Sequence, residues 1–241
     1  MLIAITGRKN SGKDTLFNII NYLMLKYKYT NTHEIFFDTF EKFINKNIDW
    51  QLFENKKFAD KLKDIVCLLL DCTREQLEHR DFKEKQLGEE WWYYQLSQDK
   101  IVPRFHYIND YDNQMCEERY LVKLTPRILM QKIGTDLFRN QLHPNIWINS
   151  TFVNYDEKCD WIITDLRFQD ELDKVKKNNG IIINLQRDIC NDNLETHISE
   201  QLLFNTFNFI ITNNSTIDDL IEQVEKKLFI EGQIHLQYIL L

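Results

Sequence analysis

The stretch GRKNSGKDT, Gly7 to Thr15, carries two glycines and a lysine at the G-x-x-x-x-G-K spacing. Glycines let a backbone curl until several N–H groups face one anion, and a helix starting there adds partial positive charge. Lys13 then has the reach for the β- and γ-phosphates of a nucleoside triphosphate. Gly7, Asn10, Ser11, Gly12, Lys13, Asp14 and Thr15 are the candidate contacts to ATP. The hydroxyl that would approach Mg²⁺ is one residue late, because Asp14 follows the lysine and Thr15 comes next. A carboxylate in the first helical turn suits the dipole, so Asp14 is compatible with a working loop. The competing reading is a glycine turn with an accidental lysine.

A second chemical stretch is WIITDLRFQDE, ending an apolar run in Asp165. An acid at such a strand end orders Mg²⁺ or its water ligands in phosphoryl transfer, which makes Thr15 and Asp165 the metal-side candidates. Arg167 adds a cation that can offset charge on a transferring phosphoryl group. Glu171, one helical turn later, could clamp that guanidinium or accept from a substrate hydroxyl; a solvated helix face is the plain alternative. Lys13, Asp165 and Arg167 form the candidate catalytic set.

The elements that must position these residues follow from periodicity. LIAIT reads as a buried strand before the loop, and DTLFNIINYLMLKY places Leu16, Ile19, Ile20, Leu23 and Met24 at helical spacing. EIFFDTF, Glu34 to Phe40, suggests a strand, and KFADKLKDIVCLLLDC a helix with Phe58, Leu62, Ile65, Val66 and Leu69 on one face. TREQLEHR suggests a short helix capped by Thr73, with Glu75 in its first turn. Thr125 caps a further helix, TPRILMQKIGTDLFRNQL, with Pro126 at its first position. Beyond it, HPNIWINSTFVNY reads as a helix and DWIITD as a strand. FQDELDKVKKNNG is an amphipathic helix stopped by Gly180. GIIINLQRD and FNFIITNN are strands, and STIDDLIEQVEKKLF is a closing helix capped by Ser215 or Thr216. Alternating strands and helices predict an α/β fold of three layers, a parallel sheet with helices on both faces, whose ligands bind at strand carboxyl ends. The expectation is one domain over 1–241 with an aromatic insertion at about 83–123, containing WWYYQL and KIVPRFHYIND.

Composition narrows the class. Lys and Arg number 30 against 37 Asp and Glu, a formal charge of −7, which disfavours general nucleic-acid binding. Apolar residues at 43% support a well-buried core. The five cysteines (67, 72, 116, 159 and 190) contain no C-x-x-C pair and read as buried thiols in a reducing compartment. A zinc site formed with His79 or His106 is the competing reading. No run approaches the ~20 apolar residues of a bilayer span, so a cytoplasmic protein without membrane partners is expected. The apolar tail IHLQYILL reads as a last strand or an oligomer contact, compatible with a homodimer.

Four stretches together resemble the deoxynucleoside monophosphate kinases of large DNA bacteriophages, a P-loop nucleotide-kinase-like family. They are GRKNSGKDT; Arg127 through Trp147, beginning RILMQKIGTDLFRN; IITDLRFQDEL; and THISE followed by FIITNNSTIDDL. FADKLKDI, with Lys63, is a weaker fifth, and residues 83–123 have no counterpart. The resemblance implies a P-loop NTPase fold with a helical, insert-bearing acceptor region. It implies transfer of the ATP γ-phosphate to a deoxynucleoside 5′-monophosphate with Mg²⁺, in host cytoplasm if the source is viral. In such kinases the order G-K-x-T is common, so the delayed Thr15 marks a subclass. Lys63, Arg127 and Arg167 are then candidates for the acceptor phosphate. Gln131, Gly134, Thr135, Asp136, Asn140 and Trp147 would shape the acceptor's base and sugar pocket, with Glu171 beside them and Arg187 on the ATP side. Gly134 would admit a ring and Trp147 would stack on it. The plain alternatives are exposed helix positions for Gln131 and Asp136, core packing for Trp147, and surface charges for Lys63 and Arg127. His197 reads as structural, since an ionised phosphate acceptor needs no general base. Two other readings remain at this point: a P-loop kinase for another small phosphorylated acceptor, and a nucleotide-binding module without turnover.

Overall fold

The computed structural model describes residues 1–29, 39–45, 52–95, 101–103, 120–188, 207–231 and 234. The chain forms two compact units, Met1–Phe58 with Ile148–Leu241, and Ala59–Trp147. Strands and α-helices are numbered along the chain; β3–β5 belong to the second unit.

The first unit is built on a five-stranded parallel sheet in the order β2 (Glu54–Lys56), β6 (Trp161–Ile163), β1 (Leu2–Thr6), β7 (Ile181–Gln186), β8 (Phe209–Thr212). Its apolar side chains alternate between two clusters. Ile3, Ile5, Ile162, Ile183, Leu185 and Ile211 pack with helix α1 (Lys13–Tyr29) and helix α9 (Ile217–Val224). Leu2, Ala4, Trp161, Ile163 and Ile182 pack with Phe152 and with Leu172 and Val175 of α8 (Gln169–Lys177). Both faces are therefore covered, as a central parallel sheet requires. The five residues that set the helical period of α1 are all buried. Each contributes roughly 1.5–3 kcal/mol of transfer free energy.

Pairing fixes what lies at the carboxyl edge. Ala4 stands beside Ile163, Thr6 beside Asn184, Lys56 beside Ile163, and Gln186 beside Thr212. All five strands run the same way, so Gly7, Lys57, Asp165, Arg187 and Asn213 follow their strand ends on one edge of the sheet.

β2 departs from the expected layout. Glu34–Asp38 lies outside the described residues, and Phe40 begins a short helix, α2 (Phe40–Asn45). The edge strand comes instead from the polar tripeptide Glu54–Lys56, which has no apolar alternation to betray it. Hydrogen bonds pin it. Phe53 N–H donates to Asn21 Oδ1 at 3.0 Å, Glu54 N–H to the Asp160 carbonyl at 2.9 Å, and the Thr164 hydroxyl to Asn55 Oδ1 at 3.1 Å. Asn21 is fully buried mid-helix, and its Nδ2 donates back to the Phe17 carbonyl.

Helix ends follow their expected caps with one difference. Of the two candidates for α9, Thr216 is the cap, accepting from Asp219 N–H. Asn179, with φ +54°, makes the left-handed turn after α8, where Gly180 was the expected stop. Gly180 is still constrained, since a Cβ there would lie 2.5 Å from Val175 Cγ1.

In the second unit, α3 (Asp60–Leu70) and α4 (Arg74–Glu78) are joined by a tight turn. Thr73 caps α4 in a reciprocal box with Gln76, and Glu75 lies in the first turn as expected. Phe58 precedes α3 and packs in the first unit's core, and Leu69 is half exposed, so the inward face of α3 is narrower than its spacing suggested. α5 (Arg80–Glu84) follows. The insertion then contains a small antiparallel sheet in the order β4 (Ile101–Pro103), β3 (Tyr93–Gln95), β5 (Tyr120–Val122). Thr125 accepts from Ile128 N–H to start α6 (Pro126–Gln131), with Pro126 in its first turn, as expected. The helix continues from Lys132 to Leu142 in wider, π-helical turns. α7 (Ile146–Phe152) begins at the end of this unit, and its residues from Ile148 on belong to the first unit.

Replacing Asn21 by leucine keeps the volume but leaves the Phe53 N–H buried without its acceptor. The expected outcome is a loss of about 2 kcal/mol in urea unfolding with an unchanged slope.

Candidate active site

The loop after β1 has a backbone that side chains would obstruct. Gly7 has φ +151° and Gly12 φ +98°. A Cβ on Gly12 would lie 2.6 Å from Asn213 Nδ2, and one on Gly7 would collide with the Leu185 carbonyl oxygen. Asn10 takes the left-handed conformation between them, with φ +62°. Neighbouring strand ends hold the loop. Asn213 Nδ2 donates to the Ser11 carbonyl at 2.8 Å, and Arg187 Nη1 to the Asn10 carbonyl at 3.3 Å. Lys13 Nζ donates to the Gly7 and Arg8 carbonyls at 2.9 and 2.8 Å, curling its ammonium over the loop. Ser11 is fully buried, and its Oγ has no protein partner. An orphan hydroxyl facing a curled loop suits an oxyanion ligand.

Asp165, half-buried after β6, accepts from Phe58 N–H through Oδ1 at 2.8 Å. The preceding residue, Lys57, reaches Asp14 Oδ1 at 2.9 Å. Thr15 is half-buried in the first turn of α1. Leu166 is buried and Arg167 exposed. Glu171 is 2% exposed, which excludes the solvated-face reading. Its Oε2 accepts from the backbone N–H groups of Arg167 and Phe168 at 2.9 and 3.1 Å, capping α8 and fixing the backbone that carries Arg167. The loop, Asp165 and Arg187 are thus gathered on one sheet edge. Sequence reasoning missed Lys57, Phe58 and Asn213. Asn213 ends an apolar strand and had a visible signal; Lys57 follows a strand with no apolar pattern and had none.

The second unit holds the other candidates. Lys63 Nζ donates to Glu78 at 2.5 Å, and Arg127 Nε to Glu84 at 2.5 Å. Gln131, Thr135, Asp136 and Asn140 are exposed along the helix that starts at Pro126. Trp147 and Gly134 have other roles than those expected. Trp147 is 5% exposed, stacks on Phe138 at 5.2 Å, and donates its Nε1–H to the Gly134 carbonyl at 2.9 Å. It is a core residue, as its plain alternative had it. A Cβ on Gly134 would lie 2.8 Å from Leu62 Cδ2, so the close approach belongs to α3 rather than to a ring. His197 and the THISE stretch lie outside the described residues, as do Cys116, Cys190 and all of the apolar tail but Ile234. Cys67, Cys72 and Cys159 are half-buried free thiols. No group of three metal-binding His, Cys, Asp or Glu side chains occurs among the described residues. No described helix is long and apolar enough to cross a membrane.

The family model for deoxynucleotide monophosphate kinases matches residues 1–224. The chain belongs to that family. A protein of Acanthamoeba polyphaga mimivirus, provisionally named as such a kinase, is 32% identical over 117 residues, which span 42% of this chain and 59% of its own. The deoxynucleotide monophosphate kinase of Enterobacteria phage T4 is 24% identical over 251 aligned positions, covering 94% of this chain and 98% of its own. The resemblance read from the four stretches is borne out, and the chain is a phosphotransferase, a nucleotide kinase with ATP as its co-substrate.

In this kinase Glu78 is the anionic centre of a cluster in the second unit. Burial alone would raise its carboxyl, but hydrogen bonds from Lys63 and Lys83 at 2.5 and 2.9 Å prevail and hold it at about 2. A depressed folded value means that the stabilisation is complete above the ordinary 4.5 and disappears as pH falls through about 2. Glu78→Gln should cost at most about 1 kcal/mol at pH 6, because the carboxylate is half exposed. That difference from the unsubstituted protein should close by pH 2, read by urea unfolding across the range.

Proposed function

We propose that the protein transfers the ATP γ-phosphate to deoxynucleoside 5′-monophosphates, giving the diphosphates and ADP, with the donor held at the carboxyl edge of the first unit's sheet. The observation carrying this reading is the loop itself. Its glycines exclude side chains, its serine hydroxyl has no protein acceptor, and its lysine is folded over it within reach of an anion.

Phosphoryl transfer asks a protein mainly for position and charge compensation. The amides from Gly7 to Thr15 and the Lys13 ammonium take the triphosphate, and an arriving phosphate replaces the Gly7 and Arg8 carbonyls as the lysine's acceptors. Arg187 holds the Asn10 turn from the β7 side. Arg167, exposed on a backbone fixed by Glu171, supplies a cation for the transferring group. Glu171 is a positioning residue here. Thr15 and Asp165 fit a Mg²⁺ ion, which takes few protein oxygens and keeps phosphate oxygens and water as its other ligands. When bound, the metal screens charge on the β- and γ-phosphates. The acceptor phosphate is assigned to Lys63 and Arg127, and the nucleoside to Gln131, Thr135, Asp136 and Asn140. Gly134 and Trp147 support that helix from inside the second unit. The acceptor arrives ionised, so no general base is required.

Initial rates of ADP formation with ATP and each common deoxynucleoside monophosphate test the reading, alongside the ribonucleotide counterparts. At least one deoxynucleotide should support turnover, and Lys13→Ala should lower kcat/KM by at least about 100-fold with an unchanged unfolding midpoint. Turnover confined to another small phosphorylated acceptor would refute the acceptor assignment. Normal turnover by Lys13→Ala would refute the donor site.

A further inference from the structure

We infer that Lys57 is a positioning residue of the donor site and acts through Asp14. This rests on the kinase reading above and adds a residue to it. The feature that calls for explanation is a carboxylate next to the phosphate-loop lysine. Asp14 is 72% exposed in the first turn of α1, beside the loop assigned to a triphosphate. Its charge favours the helix dipole but repels the polyphosphate, and the two anions share the same helix end.

Lys57 resolves that conflict. It follows β2 directly, and its Nζ lies 2.9 Å from Asp14 Oδ1. Its side chain is 27% exposed, so the ammonium is less screened by solvent than a fully extended surface lysine. The next residue, Phe58, gives its N–H to Asp165. One dipeptide therefore engages both acids of the donor edge. Its own placement is over-determined by the β2 pairing, with Lys56 beside Ile163 and the Thr164 N–H on the Lys56 carbonyl at 3.2 Å. Lys13, next in sequence to Asp14, is folded onto the loop carbonyls, and Arg8 and Lys9 of the loop are exposed. Lys57 thus pairs with Asp14 and offsets its charge. With ATP bound, the same ion pair keeps the Asp14 carboxylate turned toward β2 and its negative charge compensated.

A double-mutant cycle on ATP affinity separates this from a direct phosphate contact and from a purely structural role. ATP binding is measured by calorimetry, without acceptor, for the unsubstituted protein, Lys57→Ala, Asp14→Asn and the double variant. Lys57→Ala should weaken ATP binding by about five- to tenfold, and Lys57→Arg should restore it to within about twofold. In the Asp14→Asn background the same lysine substitution should change affinity by less than about twofold, because no carboxylate is left to compensate. Raising salt should shrink the Lys57→Ala effect. An effect of Lys57→Ala below about twofold in the otherwise unsubstituted protein, or an equal effect with and without Asp14→Asn, overturns the inference. Loss of the unfolding midpoint in Lys57→Ala without rescue by arginine overturns it in favour of a structural role. Failure of the unsubstituted protein to bind ATP would instead refute the donor reading, so the two failures are told apart.

Discussion

The proposed donor site depends on β1 lying between β6 and β7 in a parallel sheet. Parallel pairing forces strand ends onto one edge, and hydrogen-bond register decides which residues meet there. With Ala4 beside Ile163 and Thr6 beside Asn184, the glycine loop leaves the sheet between Asp165 on one side and Arg187 on the other. The register also sets the steric limit on the loop. Leu185, in β7, places its carbonyl oxygen where a Gly7 side chain would go. Asn213, after β8, closes the other side against Gly12. The glycines are therefore demanded by neighbouring strands as well as by their own dihedral angles.

That dependence explains what could be read from the sequence and what could not. β1, β6, β7 and β8 are apolar runs, because central parallel strands bury both faces, and they were legible. So were α1, α8 and α9, from periodicity and their capping residues. β2 was not legible, because Glu54–Lys56 is a polar edge strand whose place is set by Asn21, Thr164 and Asp160, residues distant in sequence. Lys57 was hidden for the same reason, since its position follows from β2. The insertion at 83–123 was visible as a break in period, but its antiparallel pairing of β3 with β4 and β5 depends on partners that no local pattern announces.

The site residues divide along a similar line. Lys13, Asp165 and Arg187 could be placed at the sheet's carboxyl edge from sequence because a loop motif or a strand end marks them. Trp147 and Gly134 show the limit of residue type as a guide. An indole and a glycine in a stretch that resembles an acceptor region could equally serve a ring or a helix contact. Only tertiary packing distinguishes the two, and here Phe138, Leu62 and the Gly134 carbonyl occupy them. Glu171 lies between these cases. Its spacing from Arg167 was a true signal, and its carboxylate accepts from the backbone N–H groups of Arg167 and Phe168.

The ion pairs of Lys63 and Arg127 bear on how such cations can serve a phosphate. A long, flexible cationic side chain is ordered when a standing carboxylate holds its head group. Glu78 does this for Lys63 and Lys83 together, and Glu84 for Arg127. A dianionic phosphate competes for these ammonium and guanidinium groups with more charge and more acceptor oxygens than one carboxylate offers. Because Glu78 is half exposed, its carboxylate can return to water when a lysine turns to phosphate, so the exchange leaves no buried charge uncompensated. The same logic governs Lys13, which donates to the Gly7 and Arg8 carbonyls. Neutral acceptors yield to an anion more readily than a carboxylate does, which suits a lysine that must engage its phosphate at every turnover.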